Sequence, residues 1–441
     1  MISIEKDKTM RVYQLNNYSE EVISHAFAKT SRSSGSFDEM AAGLNEEKSA
    51  IFHEKWVLDY AHQSVAEHSV GHIAIEGLTR PVLELIESCR LASYTEQSTR
   101  YQSLKRDAVY FDESWHTNFK QDYNQVMNLL FGLYEELMKI SPDKNVSYDV
   151  ARFALPLGAT ANLGMTINMR ALRRTICKLL ASELPEAQTA AQELIKVGME
   201  VAPTLLKYLN PCNFIKKSEN ISTQKLNKSK PIATPIDVKL KKSYVNLTDI
   251  LQKLAVSCGG SFEETISFHD YTQLMDSLER HDSISRAFEY GYLEFLITSD
   301  YGAYYDMKRH RIATLIPEKG CSLNILRPSQ LKDESNYFTK RYNAVMAQVK
   351  EIVARHLSNP EHIYMVPNGA QKRYSMLMNP REWAEISILR GFNLKGHPTY
   401  RSVGLKMYDV VIKKYPFLDF IAKHRQDTFD GDSIIEGYKI I

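Results

Sequence analysis

Between Glu96 and Tyr101 the sequence sets a carboxylate, a hydroxyl, a guanidinium and a phenol close together. The stretch from Arg90 to Tyr101 reads RLASYTEQSTRY, and Glu96, Ser98, Arg100 and Tyr101 follow directly on an apolar helical run. Arginine beside a serine hydroxyl suits a phosphate, because the planar fork gives paired, charge-assisted bonds. A neighbouring carboxylate accepts from a sugar hydroxyl or a base N–H. These groups together suit a nucleotide monophosphate, although a polar surface turn after a helix reads the same way.

A second stretch, Lys308 to Gly320, reads KRHRIATLIPEKG, and its Arg311-Ile312-Ala313-Thr314 lines up with Arg90-Leu91-Ala92-Ser93. Together the two pieces resemble the signature of the flavin-dependent thymidylate synthases: Arg-His-Arg, two residues, Ser, any, Asn, Glu, any, Ser, any, Arg, Tyr. The first copy keeps the back and has lost the front, with Ser88-Cys89-Arg90 there and Thr95 at the Asn position. The second keeps the front, Arg309-His310-Arg311, and carries Pro317, Lys319 and Cys321 where Glu, Ser and Arg belong. Two complementary half-signatures are more specific than either alone.

The elements that must position these residues follow from periodicity and turn chemistry. A strand-like run covers Met10 to Gln14, a helix covers Ser19 to Lys29, and the serine cluster at 31–36 is a loop. Glu46 to Ala61 has helical spacing, with Ile51, Trp56, Val57 and Tyr60 on one side. His72 to Ile75 alternates like a strand, and Pro81 starts a helix that carries Val82, Leu83, Leu85 and Ile86 toward the first half-signature. Phe119 to Ile140, the run NMRALRRTICKLL, and Ala187 to Leu209 are further helices. Lysine, serine and asparagine dominate residues 216–243, which read as a solvated linker. The second half then repeats the order of the first. Glu289 matches Glu67, Tyr364 to Pro367 match Phe153 to Pro156, and Asn379-Pro380-Arg381 match Asn168-Met169-Arg170.

Length and composition bound the answer. At 441 residues the chain has room for two domains, and its 44% hydrophobic and 24% charged content is that of a globular protein. A net charge of +2 argues against a mainly nucleic-acid-binding protein. No apolar run is long enough to span a bilayer. Cys89, Cys177, Cys212, Cys258 and Cys321 are scattered singly, without metal-ligand spacing, so no metal is expected and a reducing, cytoplasmic compartment is the default. The absence of a GxGxxG fingerprint speaks against a Rossmann cofactor site.

The resemblance implies an α/β (α+β) fold with helices flanking a twisted sheet, here as two repeated domains at 1–215 and 244–441. It implies flavin adenine dinucleotide (FAD) as cofactor, and methylation of dUMP to dTMP with methylenetetrahydrofolate and NADPH as co-substrates, without a cysteine nucleophile. Carried over, the nucleotide set is Glu96, Ser98, Arg100, Tyr101, Arg152 and Arg390, with Glu96, Arg390 and His62 nearest the chemistry. The flavin set is Arg309, His310, Arg311, Asn379, Arg381, Arg90, Glu67, His68, Asn168 and Arg170. Leu179 stands where the first half would carry a counterpart of Arg390, and Ile363 where the second would carry one of Arg152. The halves therefore read as having divided one site, with a homodimer imitating the family's tetramer, small-molecule partners, and neither nucleic acid nor membrane. Asp306 and Leu85 occupy positions that are polar and Gln-like in the family. A relative acting on another pyrimidine nucleotide, and a non-catalytic flavin- and nucleotide-binding protein, are the rival readings.

Overall fold

A computed structural model of the chain describes residues 13–15, 17–30, 33, 36–218, 234–279, 282–319 and 322–441. Helix and sheet are mixed in two compact units. Unit 1 comprises Met1–Leu78, Val82–Glu96 and Ala161–Asn227, and unit 2 comprises Thr79–Pro81, Gln97–Thr160 and Lys228–Ile441. The middle of the first half thus joins the C-terminal part of the chain. Among the described residues no helix is long and apolar enough to cross a membrane.

Unit 1 is built on strands β1 (Val70–Thr79), β2 (Ala92–Glu96) and β3 (Thr160–Asn168), in the order β1-β3-β2. The first half-signature is therefore partly strand: β2 runs antiparallel to β3, with Ala92 opposite Ile167 and Glu96 opposite Leu163. On β3 the residues Ala161, Leu163, Met165 and Ile167 alternate inward, the period-two pattern of a half-buried strand. They meet Val82, Leu83 and Ile86 of the Arg80–Glu87 helix, Leu172, Ile176 and Leu179 of the Met169–Leu179 helix, and Leu194 of the Pro185–Val201 helix in one core.

Unit 2 carries β4 (Asp237–Tyr244), β5 (Tyr292–Asp300), β6 (Thr314–Pro317), β7 (Leu326–Arg327), β8 (Gln371–Met378) and β9 (Lys439–Ile440). Four of these form an antiparallel sheet in the order β4-β5-β8-β6. The order β5-β8-β6 reproduces β1-β3-β2 of unit 1, each middle strand leading into a helix that starts with an asparagine cap.

Within unit 2 the segments matched by sequence, Phe153–Pro156 and Tyr364–Pro367, pair with each other around a Pro156–Pro367 bridge. Leu157 N donates to Val366 O at 2.8 Å, and Asn368 N donates to Leu155 O at 2.7 Å. Gly158 N donates to Tyr364 O at 2.9 Å, and Gly369 N donates to Phe153 O at 3.0 Å. Each bond becomes its twin under one constant shift in numbering, the shift that carries Asn168 to Asn379 and Arg170 to Arg381. Such reciprocity is the mark of a local two-fold relation. The Tyr123 hydroxyl on Tyr110 O and the Tyr342 hydroxyl on Leu326 O are a similar pair of contacts, although they do not share that shift.

Several sequence expectations need correction. Residues 237–243, read as linker, belong to β4: the lysines that suggested a solvated tract line the edge of a sheet, where charge discourages pairing with other chains. Ile51 and Tyr60 are each 61% exposed, so the apolar side of 46–61 does not all face the core; the α-helix ends at His53 and a wider π turn, Glu54–Asp59, rotates the later residues. Residues 10–12, most of the serine cluster, residues 219–233 of the linker and Cys321 lie outside the described residues.

Candidate functional site

Arg100 follows a tight turn in which its amide donates to Ser98 Oγ at 3.1 Å. Its guanidinium forks onto Asp149, Nε to Oδ1 at 2.7 Å and Nη2 to Oδ2 at 3.1 Å. Nη1 donates to the Tyr400 hydroxyl at 3.5 Å, and Nη2 also reaches Lys395 O at 3.3 Å. Burial opposes the charge, but the hydrogen bonds and attraction of Asp149 outweigh it and raise the pKa of Arg100 further. Asp149 is fixed in turn, because His397 Nε2 donates to its carbonyl at 3.0 Å while Nδ1 accepts from Thr399 N. Buried His397 is held well below its ordinary pKa, first by loss of water and then by the charges of Arg152 and Arg100, and so stays neutral.

Arg152 opens the 3-10 turn after the helix that carries Asp149 and is only 3% exposed. Its guanidinium faces two carboxylates, Asp306 at 3.6 Å and Asp300 at 4.0 Å. Its Nε and Nη2 are buried without a hydrogen-bond partner, an arrangement that costs free energy unless another acceptor satisfies them. Room for the group comes from Gly302, where a Cβ would sit 2.1 Å from Nη2. Burial raises the pKa of Asp300 against the opposing pull of Arg152 and of the Ala303 amide that it caps.

Arg390 lies on a π turn, Ser387–Phe392, that continues the Pro380–Ile386 helix. Gly391 and Gly404 bring this turn onto the Pro398–Ile412 helix: a Cβ on Gly404 would fall 2.6 Å from Gly391 N. Arg390 therefore lies against Tyr400, 5.5 Å from the ring centroid, and Arg100 approaches the same ring at 6.0 Å. Arg390 Nε donates to His310 Nε2 at 2.9 Å, which puts the ring proton on Nδ1, 3.3 Å from Glu382 Oε1. His310, expected at the flavin, is buried here and orients Arg390.

The Asn-x-Arg element takes the same form in both units. Asn168 caps one helix by accepting from Ala171 N at 2.9 Å, and Asn379 caps the other by accepting from Glu382 N at 2.9 Å. Arg170 pairs with Glu67 in unit 1, and Arg381 pairs with Glu289 at 2.7 Å in unit 2. Both asparagine side chains thus serve the backbone, as N-caps do. Arg309 is exposed and Arg311 half-buried, while Ile312 and Leu377 present apolar surface on the same unit. Cations with nearby apolar surface fit a ligand joining a pyrophosphate to a flat ring system, as FAD does.

Glu96 ends β2 in unit 1, half-buried; Arg90 and His68 are exposed there, and exposed His62 lies against Trp56. Tyr101 is 68% exposed. Sequence reading missed Asp149, Asp300, His397, Glu382 and Tyr400 as site residues. Their only signals were the place of Asp149 one turn before Arg152, and that of His397 and Tyr400 in the stretch His397-Pro398-Thr399-Tyr400-Arg401, which follows the Asn379-Pro380-Arg381 helix as the region after Ala187 follows the helix of Asn168-Met169-Arg170. Unit 1 also holds a cavity of about 310 Å³, with Val57, Met169 and Leu205 in its walls and Arg170, Arg173, Arg174 and Lys178 as its cations.

Residues 11–204 match the family described as thymidylate synthase complementing protein. A UPF0159 protein of Chlamydia muridarum is 24% identical over 94% of this chain and 93% of its own length. A flavin-dependent thymidylate synthase of Clostridium tetani is 29% identical over 44% of this chain and 82% of its own. Among solved structures, a UMP/dUMP methylase from Streptomyces cacaoi bound with 5-Br dUMP is 16% identical over 44% of this chain and 97% of its own, with a TM-score of 0.37. Residues 11–204, a little under half of the chain, are thus similar to the thymidylate synthase complementing protein family, and part of the chain is similar to flavin-dependent thymidylate synthases.

Proposed function

We propose that the chain is a flavin-dependent thymidylate synthase, methylating dUMP to dTMP with methylenetetrahydrofolate as carbon donor and NADPH as reductant, and that its nucleotide is held in unit 2. The observation that carries this reading is the convergence of Arg100, Arg152 and Arg390, from three remote segments, around Tyr400 and Asp306. The complementary losses support it: the shift that relates the Asn-x-Arg elements puts Leu179 opposite Arg390 and Ile363 opposite Arg152. The two halves are then divergent copies, with one competent nucleotide site per chain and a homodimer as the simplest assembly.

In this reading Arg100 and the unsatisfied donors of Arg152 take the phosphate, exchanging part of their contact with Asp149 and Asp306 for phosphate oxygens. Arg390, oriented through His310 and Glu382, faces the pyrimidine carbonyl and stabilises the negative charge that develops when C5 acts as nucleophile. Arg309, Arg311 and Arg381 would hold FAD, whose reduced form supplies the hydride. Water exclusion and orientation are the main contributions of the protein.

Tritium release from 5-tritiated dUMP tests the function. Purified protein with FAD, NADPH and methylenetetrahydrofolate is expected to release tritium, and release should stop without FAD. Absence of release from folded, flavin-loaded protein would leave a binding protein, and release only with another pyrimidine nucleotide would move the substrate.

A further inference from the structure

The cavity of unit 1 contains two cysteines that the proposed chemistry does not use. Cys177 lies in the last turn of the Met169–Leu179 helix, where carbonyls lack intrahelical donors. The Cys212 amide donates to the Cys177 carbonyl at 3.0 Å, which fixes the later residue against the helix end. With standard backbone dimensions this bond keeps the two Cα atoms within about 7 Å, and disulfides span roughly 4.4–6.8 Å between Cα atoms. Both cysteines line the same cavity, and both are free thiols with partial exposure. The remaining described cysteines are placed differently: Cys89 packs against the unit 1 core, and exposed Cys258 belongs to unit 2.

We propose that Cys177 and Cys212 are a modification site, forming a reversible disulfide by exchange with a small anionic disulfide of the glutathione type. One protein thiolate attacks a sulfur of the small disulfide, giving a mixed disulfide and expelling one small thiolate. The second protein thiolate then attacks the protein-side sulfur and expels the other. Two protein thiols are oxidised to one disulfide, one small disulfide is reduced to two thiols, and the two protein protons end on the expelled thiolates. Arg173, Arg174 and Lys178, on the walls of the cavity, attract a reagent that carries carboxylates. The bond ties the wall of Leu205, Cys212 and Ile215 to the Met169–Leu179 helix and narrows the cavity in the oxidised protein.

The test treats reduced full-length protein with oxidised glutathione, alkylates the remaining thiols, and maps peptides without reductant. The expected product is a Cys177–Cys212 cross-linked peptide, reversed by dithiothreitol, that forms equally in a Cys258→Ser control. Cys212→Ser should block the cross-link and trap glutathione on Cys177. Alkylation of both Cys177 and Cys212 under conditions that already oxidise Cys258 would overturn the proposal, as would a bridge from either residue to Cys89.

Discussion

Arg100 donates to the hydroxyl of Tyr400, although the two residues are 300 positions apart in the chain. The same phenol ring has Arg390 at 5.5 Å, so the back of the first half-signature and the late arginine of the second half meet at one side chain. Arg152 joins them electrostatically through Asp306, which acts on both Arg152 and Arg100.

Asp149 is the first point of test, because it holds Arg100 by two bonds at one-sixth exposure. Asp149→Asn should destabilise the protein by about 2–4 kcal/mol, near the cost of leaving a largely buried charge without its partner. Urea denaturation monitored by circular dichroism reads this directly. A change below about 0.5 kcal/mol would mean that Lys395 O and Tyr400 alone hold the guanidinium.

Gly302→Ala probes Arg152 without touching any charge. The new Cβ would overlap the guanidinium, which is enclosed and cannot swing into solvent. Nucleotide affinity should fall at least about tenfold, or 1.4 kcal/mol, while far-ultraviolet circular dichroism stays unchanged. Wild-type affinity in the variant would remove Arg152 from the site.

Stability should depend on pH through buried histidines. Burial, then His53 and Lys29, push the pKa of His25 from 6.5 down to about 4, and His397 is lowered as well. The unfolded chain therefore binds more protons in this window, and stability falls as pH drops. The contribution is complete above pH 6.5 and is lost progressively toward pH 4. Denaturation midpoints of wild type and His25→Gln across this range should converge at the acid end; parallel curves would exclude His25 as a source.

Flavin and nucleotide binding should separate by residue. Arg309 is exposed and outside the Arg100–Tyr400–Arg390 cluster, so Arg309→Ala should weaken flavin retention and spare the nucleotide. Arg100→Ala should do the reverse. Flavin absorbance after gel filtration and equilibrium dialysis with dUMP distinguish the two. The opposite pattern would mean that the roles are reversed.

What the sequence made legible was local chemistry and its repetition. Asn168 and Asn379 cap their helices because a cap works over a few residues, while Arg170 and Arg381 find glutamates 103 and 92 positions away that the likeness between the halves had already matched to each other. The pairing of Phe153–Pro156 with Tyr364–Pro367 was visible as a likeness between segments, but nothing in either segment said that they touch. Asp149, Asp300 and Tyr400 escaped for the same reason: their partners are set by packing across long separations. The strand β4 escaped because its lysines resemble those of a linker, whereas β3 carries an unbroken alternation of Ala161, Leu163, Met165 and Ile167 that was legible and went unread. His310 carried the right motif but faces inward, where Glu382 and Arg390 hold it.

The divided site is tested most directly by calorimetric titration of the intact chain with dUMP, for wild type, Arg100→Ala, Arg390→Ala and the double variant. The expected result is about one nucleotide per chain, a loss of about 2–5 kcal/mol in each single variant, as for truncation of one partner in a buried charged contact, and a double variant little worse than either single one. Two equivalent nucleotides per chain, or wild-type affinity in Arg390→Ala, would contradict a site shared by the two halves.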